Sequence, residues 1–171
     1  MTALPSEFRE EVEKLERKHA DNPEGRYFVP LANAYRKAGH VDRAMALLRE
    51  GLERHPDYLS AHIVLGRCLT DVGDGAAAER EFRYVLSLGP QHLIALRTLG
   101  VLASASGNAG EARGWYQDLL AVDPMNEEAR RALDAINALP ADRLRASSDE
   151  AFPGELPYID SAPGAAWFEI S

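Results

Sequence analysis

The side chains that could carry chemistry by type are few: five histidines, His19, His40, His55, His62 and His92, and one cysteine, Cys68. A helical metal pair needs two ligands three or four residues apart on one face, and no two of these histidines are so spaced. Three of them, His40, His55 and His92, fall at predicted helix ends, where polar residues serve structure. Cys68 stands between Leu65 and Leu69, the setting of a small buried hydrophobe and not of an activated thiolate. Gly73-Asp74-Gly75 has too few glycines for a phosphate-binding loop and fits a tight turn. No nucleophile, base and acid come together in a catalytic pattern, so neither an enzyme nor a metal or other cofactor is expected.

Composition narrows the partners. The 171 residues carry a formal charge of −8 and a pI near 5.1, which argues against general affinity for a phosphate backbone. A single cysteine excludes an internal disulfide framework. Residues 1–20 alternate charges with isolated apolar residues and lack a signal-peptide core, and no run approaches the roughly 20 apolar residues of a membrane helix. A soluble cytoplasmic protein is expected, and the excess of arginine over lysine, 16 to 3, suggests a bacterial one.

The informative pattern is a repeat. Displacing the sequence by 34 residues aligns residues 25–58, 59–92 and 93–126 without a gap. Leu31, Leu65 and Leu99 coincide, followed at once by Ala32, Gly66 and Gly100. Then come Gly39, Gly73 and Gly107; Ala44, Ala78 and Ala112; and Leu48, Phe82 and Tyr116. Leu52, Leu86 and Leu120 follow, and each unit closes on Pro56, Pro90 or Pro124. A period of this length belongs to stacked supersecondary units.

Each unit predicts two helices. Ala61, Leu65, Cys68 and Leu69 recur at helical spacing, and so do Ala78, Phe82, Val85 and Leu86. The glycine between them supplies a positive φ, and His40, Asp74 or Asn108 after it a polar cap. The closing proline ends the second helix. Small residues at the eighth and twentieth places let two antiparallel helices approach, and a large one at the twenty-fourth fills the space beside them.

These places resemble the tetratricopeptide repeat signature across residues 25–126. Two departures stand out: Phe28, His62 and Leu96 replace the family's usual first tryptophan, and Tyr35 is not repeated at Leu69 or Ala103. The resemblance implies an all-α, right-handed superhelical solenoid of helix-turn-helix hairpins whose first helices line an inner, concave side where peptides lie.

The flanks read as caps. Residues 1–24 contain an amphipathic helix over 6–20, with Phe8, Val12 and Leu15 on its apolar face, then Asn22-Pro23, like the second half of a degenerate repeat. Residues 127–139 predict a carboxy-terminal capping helix, with Asn126 as its cap, Glu127 and Glu128 in its first turn, and Ala129, Leu133 and Ile136 facing inward. Residues 140–171 follow no repeat and read as an irregular tail. From residue 146 it carries five acidic and no basic residues, interleaved with groups such as Phe152, Tyr158, Trp167 and Ile170.

On the first-helix face opposite the signature stripe lie Arg26, Val29, Asn33, Arg36 and Lys37 of unit one, Ile63, Val64 and Arg67 of unit two, and Ile94, Arg97 and Val101 of unit three. Counted with Asp71, the face carries a formal +4 in a chain of −8. It also groups β-branched residues, which solvated faces rarely do. The expectation is a protein–protein interaction module, a scaffold or adaptor, binding an acidic, partly apolar peptide or partner surface, with residues 149–170 of the same chain as an internal occupant. A regulatory or accessory subunit of an enzyme complex is the alternative; RNA binding by a helical repeat fits the charge poorly. Some members of the family resemble one another in a two-carboxylate clamp for a chaperone's carboxyl terminus. Of its five places only Asn33 matches, while Val29, Val64, Ile94 and Thr98 hold the others, so no such clamp is implied.

Overall fold

The computed structural model describes residues 6–140; residues 1–5 and 141–171, with segment 149–170, lie outside it. The described chain forms helices α1 (Ser6–Asp21), α2 (Phe28–Lys37), α3 (Val41–Arg54), α4 (Leu59–Asp71), α5 (Gly75–Leu88), α6 (Leu93–Ala105), α7 (Ala109–Val122) and α8 (Glu127–Asn137). Helices α3, α5 and α7 start at 34-residue intervals, and so do α4, α6 and α8. By that count α8 stands as a fourth first helix, and α1 as a second helix ahead of unit one.

Local chemistry sets the joints. Gly39, Gly73 and Gly107 adopt φ of 81°, 82° and 79°, a left-handed conformation that costs glycine nothing. Asp74, Asn108 and Asn126 each accept a hydrogen bond from the backbone N–H three residues on and so cap α5, α7 and α8. His40, expected to cap α3, makes no such bond. A ring nitrogen accepts only in one tautomer, whereas the oxygens of aspartate and asparagine always can.

Packing proceeds pairwise: α2 on α3, α4 on α5, α6 on α7, with α3 on α4, α5 on α6 and α7 on α8 joining one hairpin to the next. Ala44, Ala78 and Ala112 are fully buried where the paired helices meet. Across from them the eighth and twenty-fourth places trade size. A Cβ built on Gly66 would meet the Phe82 ring at 2.8 Å, and one on Gly100 the Tyr116 ring at 2.8 Å. Unit one has Ala32 and a smaller partner, Leu48, both fully buried.

The ends are held by interactions that the repeats lack. Val12 of α1 is fully buried, and the Tyr35 hydroxyl donates to Glu16 of α1 while accepting from Arg43 of α3 at 2.8 Å. Burial, then the hydrogen bond to Glu16, pushes the Tyr35 phenol up to about 12. Tyr35 thus serves the α1 junction, which occurs once, so the equivalent places are free to be Leu69 and Ala103. At the other end Ala129 and Ile136 of α8 are buried against the last hairpin.

Candidate functional site

The first helices share one layer, and the face they turn away from the second helices is the candidate site. Its apolar members divide. Val29, Ile63 and Val64, expected to line it, are buried at 6%, 8% and 7% exposure. They belong to the core because adjacent hairpins roll onto them, and they are not open to a ligand. Ile94 and Val101 of α6 remain exposed, at 39% and 43%.

The basic members divide as well. Arg36 donates to Asp71 at 2.8 Å, tying α2 to α4. Arg97 grips Glu128 of α8 through Nε and an Nη at 2.8 and 2.9 Å, and the hydrogen bonds to Glu128 raise its pKa further. The Arg26 guanidinium lies 4.9 Å from the centre of the Tyr58 ring, a cation–π contact. Lys37 is exposed and Arg67 half-buried, and among the described residues neither has an ion-pair partner. Asn33 accepts from Arg36 Nε at 3.3 Å.

Helix α8 extends the face beyond what the sequence suggested. Glu128, Arg131 and Ala135 repeat the offsets of Ile94, Arg97 and Val101, and all three are exposed. The 34-residue interval from Leu93 to Glu127 carries the signal in the sequence, in a segment that otherwise reads as a cap.

The remaining reactive groups have structural duties. Cys68 is fully buried, and burial pushes its thiol up to about 11, with Arg36 offsetting this in part. His62, at the place of the family's tryptophan, sits with Nδ1 2.7 Å from Glu81 Oε2 and Nε2 2.6 Å from the Pro56 carbonyl. Both partners accept, so this geometry favours the doubly protonated ring. Burial alone would lower its pKa, but the bonds to Glu81 and Pro56, with the charges of Glu81 and Asp57, outweigh it and raise the pKa above 6.5. Among the described residues no three His, Cys, Asp or Glu side chains converge to hold a metal ion, and no helix is long and apolar enough to cross a membrane.

Comparison with known proteins agrees with this architecture. Residues 26–68 and 70–127 match two tetratricopeptide repeat family profiles. Over 52 residues, 30% of the chain, the sequence is 42% identical to Tetratricopeptide repeat protein 8 of Caenorhabditis elegans, a stretch covering 10% of that protein. The fold is similar to the crystal structure of MamA, with a TM-score of 0.71, 16% identity, and 82% and 81% of the two chains covered. It is also similar to the first repeat domain of Spaghetti (RPAP3) bound to the HSP90 peptide SRMEEVD, with a TM-score of 0.60, 23% identity, and 64% and 89% covered. At these identities the two structures are alike in fold.

Proposed function

The chain belongs to the tetratricopeptide repeat family, and we propose that it is a protein–protein interaction module holding an acidic, partly apolar peptide or partner surface along the first-helix face of α2, α4, α6 and α8. One observation carries this reading. Arg67, Ile94 and Val101 stand on that face with no task inside the fold: the arginine lacks a carboxylate partner among the described residues and the two aliphatic groups stay in water. Exposed β-branched residues and an unpaired cation at matching offsets suit a surface that another chain covers.

The peptide held by the RPAP3 domain supports the reading at the level of fold, since a similar stack of helices accommodates an acidic peptide. Its mode of recognition does not carry over, because the clamp places here hold Val29, Val64, Ile94 and Thr98, and the first two are buried.

Affinity purification of the full chain from cells that make it, beside a chain carrying Arg67→Glu and Val101→Asp, tests this. A partner identified by mass spectrometry with the first and lost with the second is expected. A partner set unchanged by the two substitutions would place binding elsewhere.

A further inference from the structure

We infer that the first-helix face has two chemically distinct halves, and that its occupant pairs an acidic side chain, held by Arg67 and Asn33, with a short aliphatic side chain resting on Ile94 and Val101. This rests on the proposed function and narrows its ligand.

Internal ion pairs define the halves. Arg36 and Arg97, two cations expected to meet an acidic ligand, are already engaged by Asp71 and Glu128. Between those pairs, Arg67 of α4 faces no carboxylate among the described residues. The residue is half-buried, and a charge-assisted bond is strengthened where water is partly excluded. Asn33 occupies the same offset on α2, and its carbonyl oxygen is taken by Arg36, so the amide N–H groups are what it has left to donate. The two residues together offer donors to one anion.

Helix α6 has the opposite character. Arg97 is its only charged residue, and that residue is paired with Glu128. The Thr98 and Ser104 hydroxyls both donate back to carbonyls of their own helix, Ile94 and Gly100, at 2.8 Å, which leaves Ile94 and Val101 in a surface poor in free donors. Val101 lies at the same offset as Arg67, one repeat along. The ligand therefore carries Asp or Glu for one half of the face and Val, Ile or Leu for the next, in either chain direction.

Panning a phage library of random dodecapeptides over the immobilised full chain tests this, alongside Arg67→Glu and Val101→Asp chains whose helicity is checked by circular dichroism. The expected result is enrichment of peptides that carry both an acidic and an aliphatic residue. Arg67→Glu should abolish the acidic preference and keep the aliphatic one, while Val101→Asp should do the reverse. Peptides bound through this face with an acidic preference that survives Arg67→Glu overturn the inference and leave the proposed function standing, whereas binding through it without an acidic preference overturns the inference and the acidic part of that function. Enrichment unaffected by either substitution, or none at all, overturns both. Concentration-dependent dimerisation in analytical ultracentrifugation that Arg67→Glu abolishes would make a second copy the occupant, and the inference would fail.

Discussion

Gly66 and Phe82 exclude any side chain at the first position, since a Cβ on Gly66 would lie 2.8 Å from Cε2 and Cζ of the Phe82 ring. The contact explains why a glycine sits inside a helix where alanine has the better propensity. Gly66→Ala should cost up to roughly 2 kcal/mol, the overpacking penalty of about 1–3 kcal/mol less about 1 kcal/mol of helix gain. Unit one combines Ala32 with Leu48, so Phe82→Leu should cost less in the Gly66→Ala background than in the native chain. Urea unfolding of the four members of this cycle gives the coupling, and additive costs would show that the ring does not fill the glycine's place.

Two further substitutions separate close contact from open surface. Ala78 has no exposure, and Ala78→Leu should destabilise by roughly 1–3 kcal/mol through overpacking. Beyond the backbone of its own helix and its chain neighbours, Gly114 of α7 has no atom within 4 Å of a Cβ placed on it, and Gly114→Ala should stabilise by about 0.5–1 kcal/mol. Denaturation midpoints moving in opposite directions are the expected outcome, and a loss at Gly114 would contradict the open space around it.

His62 should make stability fall with rising pH. Its charged ring is gripped by Glu81 and the Pro56 carbonyl, with Asp57 nearby and the Tyr84 ring 4.5 Å away, and its folded pKa lies above the unfolded value of 6.5. A group raised on folding contributes fully below pH 6.5 and loses that contribution as pH climbs through the folded pKa. Urea midpoints measured upward from pH 6 should therefore decline across that window. Glu81→Gln should flatten the decline, and an identical slope in the variant would assign it to other groups.

The peptide SRMEEVD, bound by the RPAP3 domain, probes the absent clamp. Calorimetry with the free acid and with its carboxy-terminal amide should give the same result for this chain, because no lysine or arginine occupies the clamp places. Binding that disappears on amidation would show that a terminal carboxylate is recognised after all.

The sequence by itself determined the repeat, its register and the helix joints. Those features depend on contacts inside one hairpin: Gly73 at its turn, Ala78 where the helices meet, Gly66 matched to Phe82. Each is a local relation of side-chain size or backbone freedom, and three copies make it visible. The tertiary structure alone decided which residues of the first-helix face are free. Val29, Ile63 and Val64 have the same β-branched or aliphatic character as Ile94 and Val101, yet the first three are buried and the last two exposed. Arg36 finds Asp71 across 35 residues and Arg97 finds Glu128 across 31, separations on either side of the 34-residue period. Such pairings and burials follow from how far one hairpin rotates on the next, and that rotation is a property of the stack, set by packing between units that no single repeat encodes.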